Sequence, residues 1–312
     1  MIHTLLNTRY PILQGGMAHI ATPAFAAACS NAGALGILAS GSLDAEKTRE
    51  AIRECRRLTD KPFGVNVMLM NPQAAAIVDV LCEEKPAVVT LGGGNAGPYI
   101  PRLKESGLIV LPVVSNKALA LRLERAGADG LIVEGMEAGG HIGSSTTMAL
   151  VPQIVDAVRI PVIAAGGIGD RRGFLAALAL GAQGVQVGTC LLASPECPVH
   201  EAYKEAVLKA RDSSTIVTGE KNHAPVRVLK NAMSSEYHRL EQAGATRDEL
   251  ERLTLGSLRR AVFEGDTQTG SLMMGQIAGL VRESRPVADV FADMCTGLQE
   301  SLHNLQAEAG TL

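Results

Sequence analysis

Residues 161–189, PVIAAGGIGDRRGFLAALALGAQGVQVGT, match the pattern of one complete strand–helix–strand unit, from which the fold class can be predicted. Pro161–Gly166 and Gly184–Thr189 are short, continuously apolar runs, which are typical of strands covered on both faces of a parallel sheet. Gly173–Leu180 lies between them and predicts the connecting helix. The stretch therefore indicates an α/β fold.

The same unit recurs along the preceding 150 residues, where the starts of successive runs lie 21 to 31 residues apart. The earlier predicted strands are Pro11–Gly15, Ala34–Ser40, Phe63–Leu69, Ala87–Gly92, Ile109–Val114 and Gly130–Gly135. Between them, Ala45–Leu58 follows a candidate N-cap at Asp44, and Lys117–Ala126 ends at a candidate C-cap glycine, Gly127. Eight β–α units predict a (β/α)8 TIM barrel, and the alternative is a doubly wound open sheet.

The pattern changes after Thr189. Residues 203–266 show no strand periodicity, and Glu201–Arg211 and Ala243–Arg260 favour helices. We therefore predict a smaller helical cap inserted after strand 8, with residues 1–203 plus 267–312 forming the barrel domain and residues 204–266 the substrate-side cap domain. Val287–Ala309 predicts a final helix.

Composition excludes several classes of protein. The 312 residues carry a net charge of −3, only 3% are aromatic and none is tryptophan, which argues against nucleic-acid binding. The six cysteines form no CxxC pair and accompany no HExxH, so we expect no metal site and free thiols in a reducing cytosol. Residues 1–4 do not begin a signal peptide, and prolines and glycines interrupt the uncharged stretch 10–43. We expect a cytoplasmic protein with no membrane span.

Glycines at the ends of strands 7 and 8 point to a phosphate site. Gly166-Gly167 ends strand 7 and Gly188-Thr189 ends strand 8, where barrel enzymes often hold phosphate. Bare backbone N–H groups can approach an anion there, and the N-terminus of the following helix favours negative charge. The alternative is that these glycines only form turns.

Other strand ends also suggest a ligand. Gly15-Gly16-Met17 offers bare backbone to a flat ring, and Asn66 is an amide within an apolar run, which backbone groups alone could also satisfy. Strand 6 leads from Glu134 into a glycine-bounded loop that carries His141. Because no G-x-S-x-G elbow or other activated nucleophile accompanies these groups, we expect a cofactor to carry the chemistry.

These residues carry a resemblance to a known superfamily. The segments QGGMA (14–18), FGVNVM (63–68), EGMEAGGHIG (134–143), AAGGI (164–168), QVGT (186–189) and MGQ (274–276) resemble the nitronate monooxygenases and FMN-dependent enoyl reductases. Within that group the chain is more similar to FabK-type enoyl-acyl-carrier-protein reductases. Glu134 stands where monooxygenases typically carry glutamine, and HAPVRVLKN (223–231) and GSLMMGQIAG (270–279) resemble the reductase pattern.

The resemblance implies an FMN-binding barrel with a single catalytic residue, His141, beside the reactive edge of the flavin. Gly167, Gly188 and Thr189 would hold the FMN phosphate. The full set of implied cofactor-binding residues is Gly15, Gly16, Met17, Asn66, Glu134, Gly139, Gly140, Gly166, Gly167, Gln186, Gly188, Thr189, Met274, Gly275 and Gln276.

The implied reaction is reduction of a trans-2-enoyl thioester on acyl carrier protein in bacterial type II fatty-acid synthesis. In that reaction NADH gives hydride to flavin N5, and the flavin then passes it to the substrate. The sequence contains no Rossmann fingerprint, so NADH rests on the resemblance and NADPH stays open, as does a homodimer. The alternatives are a nitronate monooxygenase and a flavin-binding module without turnover.

Docking of an acidic carrier protein would need a basic patch. The window Tyr203–Asn231 has a net charge of +3 and supplies one candidate, with Lys204 and Lys209 as its test positions. Its positive residues are Lys204, Lys209, Arg211, Lys221, Arg227 and Lys230.

Overall fold

The strands of the described chain, residues 2–309 in this computed structural model, are short and mostly parallel. In chain order they are β1 (Ile12–Gln14), β2 (Gly36–Ala39), β3 (Phe63–Met68), β4 (Val88–Gly92), β5 (Ile109–Val114), β6 (Leu131–Glu134), β7 (Gly140–His141), β8 (Val162–Ala165), β9 (Gly184–Val187), β10 (Thr215–Thr218) and β11 (Val226–Leu229).

Eight of these strands form a parallel sheet in the order β1-β9-β8-β6-β5-β4-β3-β2. The two edge strands meet through a parallel bridge between Leu13 and Leu35, and the Gln14 N–H donates to the Leu35 carbonyl at 2.9 Å. The sheet therefore closes on itself. The predicted (β/α)8 barrel is confirmed, and the open doubly wound sheet is not formed.

The helices largely follow the predicted pattern. They are α1 (Ile2–Leu6), α2 (Pro23–Asn31), α3 (Ala45–Leu58), α4 (Ala74–Glu84), α5 (Ile100–Glu105), α6 (Lys117–Arg125), α7 (Thr147–Val155), α8 (Arg171–Ala179), α9 (Glu201–Leu208), α10 (Ala232–Gln242), α11 (Arg247–Thr254), α12 (Ser257–Arg259) and α13 (Val287–Ala309). Asp44 caps α3 as predicted, since its carboxylate accepts from the Lys47 N–H at 2.8 Å. Between residues 2 and 309, no helix is long and apolar enough to span a membrane.

Two apolar layers hold the barrel together. Leu13, Ile37, Ile132 and Ile163 fill its interior, and the buried Ile2 of α1 packs into the same cluster. The alternate strand residues face outward into a larger cluster shared with the surrounding helices. Burial of both faces explains why the strands are continuously apolar in sequence.

The prediction that residues 203–266 contain no strands is wrong. β10 pairs antiparallel with β11, and β11 pairs antiparallel with β7, which comes from the loop after β6. The strands TIVT and VRVL have only four residues each, too few for a periodic signal, and the β7 partner is more than 80 residues away in sequence. The helices expected around them do form. The proposed domain boundaries stay a prediction.

The structure buries two of the six positive residues in the basic window. Lys204 is buried, with its ammonium 3.0 Å from Glu201 Oε1, and Lys209 Nζ lies 2.9 Å from Glu205 Oε2. Arg227 is also buried. The other positive side chains of the window, Lys209, Arg211, Lys221 and Lys230, are exposed, so docking of a carrier protein at this patch stays a prediction.

Candidate active site

A cavity of about 310 Å³ opens at the carboxyl ends of the barrel strands and gathers most of the predicted site. This volume falls within the range of ordinary small-molecule sites, about 300–1,000 Å³. The predicted residues that line it are Gly15, Gly16, Met17, Asn66, Glu134, Gly139, Gly140, His141, Gly166, Gly167, Gln186, Gly188, Thr189 and Gly275. Residues distant in sequence therefore meet in one place.

Two predicted residues, Met274 and Gln276, lie outside this lining. The Met274 side chain is buried in the core, and the Gln276 side chain is exposed while its N–H donates to the Glu137 carbonyl at 2.9 Å. A Cβ on Gly139 would lie 2.7 Å from the Met274 Cα, so glycine is what allows the two segments to cross. Met274 and Gln276 thus support the cavity wall from the side that faces away from the cavity.

The ends of β8 and β9 form a cradle of free backbone donors. Gly166 and Gly167 adopt consecutive left-handed conformations, with φ of 84° and 75°, which strongly favour glycine. Within residues 2–309, the N–H groups of Gly167, Gly188 and Thr189 donate to no protein acceptor. Because buried backbone donors are normally paired, unpaired donors on a cavity wall are suited to an anion such as phosphate.

The expectation that the N-terminus of the next helix serves this anion is wrong for α8. Asp170 caps it, and its carboxylate accepts from the Arg172 and Gly173 N–H groups at 2.9 and 3.3 Å. The carboxylate already satisfies these donors and brings a negative charge to that terminus. The cradle therefore depends on the loop glycines. Asp170 was visible in the sequence as an N-cap type and is the signal that could have shown this.

Asn66 and Gly16 shape the opposite wall. The Thr90 hydroxyl donates to Asn66 Oδ1 at 2.9 Å, whereas Asn66 Nδ2 has no acceptor in the described part of the chain. A Cβ on Gly16 would lie 2.4 Å from the Asn66 Cβ, so the bare loop after β1 rests directly on this side chain. The amide donor is left facing the cavity, where it can orient a ligand.

Two glutamates lie on the cavity wall in different environments. Glu137, which the sequence analysis did not single out, accepts from the Thr147 N–H at 2.9 Å and from its hydroxyl at 3.0 Å. Glu134 ends β6, and its carboxyl group has no hydrogen bond or ion pair with any residue from 2 to 309. Burial raises the pKa of its carboxyl to about 7.

His141 lies in β7, where it pairs with Val226 of β11. Its ring opens into the cavity and bonds to no other group between residues 2 and 309. The protein around the cavity desolvates the ring and lowers its pKa, so the neutral imidazole predominates at pH 7. The residue is exposed at the cavity and its ring has no protein partner there, so the ring is free to contact a ligand.

These features fit a flavin mononucleotide. The cavity combines glycine-lined surfaces for a flat ring with an unpaired backbone cradle for one phosphate, and Leu258, Met273 and Ile277 supply apolar cover. The sequence analysis missed these three apolar residues, because they come from short helical turns and loops that follow the last strand and show no periodic pattern.

Comparisons with known proteins agree with this architecture. A family model described as nitronate monooxygenase matches residues 1–79 and 75–297. The structure of FabK from Thermotoga maritima has a TM-score of 0.96 and 48% identity, covering 98% of each chain. A nitronate monooxygenase from Paraburkholderia phytofirmans is 33% identical, covering 97% of this chain and 96% of the relative. A (3aS,4S,5R,7aS)-5-hydroxy-7a-methyl-1-oxo-octahydro-1H-indene-4-carboxyl-CoA dehydrogenase from Mycobacterium tuberculosis is 32% identical, covering 95% and 96%.

Proposed function

The chain belongs to the nitronate monooxygenase family, and from this premise we propose that it is an FMN-dependent, NADH-using enoyl-acyl-carrier-protein reductase. The observation that carries the proposal is the 48% identity with Thermotoga maritima FabK over 98% of the chain. Identity with the nitronate monooxygenase relative is lower, at 33%. The Glu134 position and the 223–231 segment support the same choice.

The cavity residues divide into two groups under this proposal. Gly167, Gly188 and Thr189 would hold the FMN phosphate through their free N–H groups. Asn66 and the bare loop after β1 would hold the ring. Bound FMN supplies the two-electron hydride chemistry that no side chain can perform.

His141 is the residue proposed to act on the enoyl thioester. A neutral imidazole carries one N–H, which can donate to the thioester carbonyl oxygen as negative charge develops there. The same proton can instead pass to the α-carbon, which must be protonated to complete the reduction. Both roles need a ring without a protein partner, as His141 has within residues 2–309.

The pairing of β11 with β7 supports a link between this chemistry and the 223–231 segment. Val226 lies opposite His141 in the sheet, and Arg227 Nε donates to the Met136 carbonyl at 3.0 Å. The segment that resembles the reductase pattern thus supports the loop of the catalytic residue. We propose the acyl carrier protein as the macromolecular partner, with the exposed basic residues of the 203–231 window as its candidate docking surface.

Nitronate monooxygenase activity is the second candidate, favoured by the name of the matching family model and of the Paraburkholderia phytofirmans relative. Steady-state assays separate the candidates. The proposal expects NADH oxidation that depends on crotonyl thioester. Turnover of alkyl nitronates without NADH would instead support the second candidate, and no turnover of either would indicate a binding module.

The identity of the flavin is tested separately by denaturing the purified protein and separating the released chromophore. We expect FMN, because the described chain has one phosphate cradle and no second loop for a pyrophosphate. FAD in the extract would contradict the proposal.

A further inference from the structure

Glu134 is a carboxyl group that the barrel leaves without a counter-charge. It is the last residue of β6 and lies beside Ala165 of β8 in the sheet register. The elements packed against it are β5 (IVLPVV), β8 (VIAA) and α7 (TMALVPQIV), and their sequences contain no charged residue. A carboxylate at this position would therefore have no cation beside it.

The other titratable groups on the cavity wall do not offset a charge on Glu134. They are Glu137 and His141. Glu137 is itself acidic and is bonded to Thr147, and burial lowers the pKa of His141, so its ring is neutral at pH 7. Arg227 lies behind the loop and donates to the Met136 carbonyl and the Thr215 hydroxyl.

A ligand in the cavity makes the ionised form of Glu134 still less favourable. A ligand that fills the cavity displaces the water that solvates a carboxylate, and desolvation disfavours the charged form. A phosphate monoester also brings a charge of about −1.5 to −2 into the same cavity. Both effects act in the same direction as the burial that already raises the pKa of Glu134 to about 7.

We propose that Glu134 contacts the flavin in its protonated, neutral form, so that binding of FMN takes up one proton from solvent. The proton goes onto the Glu134 carboxylate, and no other bond forms or breaks. Glu134 is then a hydrogen-bond donor to the ring as well as part of the wall. The inference rests on the proposed function only in taking FMN as the ligand.

The pH dependence has a definite sign. The pKa of Glu134 is about 7 without ligand and, under this proposal, higher with FMN bound. FMN therefore binds best at pH values where Glu134 of the free protein is already protonated. Below about pH 7, titration of Glu134 does not change the affinity for FMN. The affinity weakens about tenfold per pH unit above that value, until the pH reaches the pKa of the complex. A loss of affinity caused by His141 would begin below pH 6.5, because burial lowers its pKa from 6.5 in the ligand-free protein.

The test compares FMN dissociation constants of the wild-type protein and of Glu134→Gln between about pH 6 and pH 9. Glutamine keeps the shape and an N–H donor but cannot titrate. The phosphate of FMN titrates near pH 6 in both proteins, so the comparison removes its contribution. We expect the loss of affinity above pH 7 in the wild type and not in Glu134→Gln. Glu50→Gln, which removes an exposed carboxyl of α3, should behave as the wild type does.

A second measurement needs no variant. Calorimetry of FMN binding at about pH 8 in buffers of different ionisation enthalpy counts the protons exchanged, and we expect an uptake close to one per flavin. No uptake, or an equal pH dependence in wild type and Glu134→Gln, would overturn the inference while leaving the proposed function standing. Failure to bind FMN at any pH would instead overturn the proposed function.

Discussion

At the scale of single residues, the site depends on polar groups that the fold leaves without protein partners. The His141 ring, the Asn66 Nδ2 group and the Glu134 carboxyl all face one cavity, and none bonds to an acceptor or donor within the described chain. None of the three residues is fully buried, so a ligand that fills the cavity would bury these groups and would have to supply their hydrogen-bond partners. Unpaired groups that converge on one cavity are therefore a functional signal.

His141→Ala should separate the two halves of the reaction. We expect the variant to retain FMN and to be bleached by NADH at close to the wild-type rate, because that step creates no charge on the enoyl substrate. Reoxidation by crotonyl thioester should slow about 10²–10⁴-fold, the usual contribution of a positioned acid. Stopped-flow absorbance measures both rates.

His303→Ala is the matched control, since His303 is exposed on α13. It should leave both rates unchanged. A His141→Ala variant that is slow in bleaching and normal in reoxidation would assign His141 to the nicotinamide nucleotide instead.

Gly167→Ala tests the backbone cradle. Alanine in a left-handed conformation costs about 1–2 kcal/mol, and its methyl would also lie 3.3 Å from Glu137 Oε1. We expect FMN affinity to fall about tenfold or more, measured by fluorescence titration.

Gly107→Ala is the control for this variant, because Gly107 has a φ of 82° and open space around its Cβ position. Both variants should lose similar unfolding free energy from backbone strain, and only Gly167→Ala should lose FMN affinity. Equal FMN affinities in the two variants would show that the 166–167 loop is not part of the phosphate site.

At the scale of elements, the small sheet β10–β11–β7 holds the loop that carries His141 against the segment after the barrel. Arg227→Met should test this brace, because it removes donors to the Met136 carbonyl and to the Thr215 hydroxyl. We expect a loss of about 1–3 kcal/mol in the free energy of unfolding, measured in denaturant, together with slower enoyl reduction.

Arg159→Met serves as the comparison, since Arg159 is exposed and its side chain bonds to no residue from 2 to 309. It should change the unfolding free energy by less than about 0.5 kcal/mol. Equal stability of the two variants would mean that the small sheet does not depend on Arg227.

The contrast between the barrel strands and this small sheet explains what the sequence could predict. The strands from β1 to β9 that build the barrel are buried on both faces and are followed by helices, so each repeats a local pattern. β7, β10 and β11 have two to four residues, and their pairing depends on contacts far apart in sequence. The orientations of the Met274 and Gln276 side chains could not be predicted either, because a sequence motif does not show whether a side chain faces the cavity or points away from it.

At the scale of the whole molecule, the closed barrel brings residues 15 to 275 around one cavity. The Leu13–Leu35 bridge joins the first and second strands, so the ends of all eight strands face the same space. The cavity was predictable because the carboxyl ends of barrel strands always meet at one face. The burial of Lys204 and Arg227, outside the cavity, was less predictable, since it depends on packing.

Reduction of an enoyl thioester can be tested by an anaerobic experiment on the purified protein. One sample receives NADH until the flavin absorbance is bleached and then receives crotonyl thioester, while a second sample with oxidised flavin receives an alkyl nitronate alone. We expect NADH to bleach the flavin, crotonyl thioester to restore its absorbance, and the nitronate to leave the oxidised flavin unchanged. A flavin that the nitronate bleaches and NADH does not, or a bleached flavin that crotonyl thioester does not reoxidise, would rule out the proposed reductase activity.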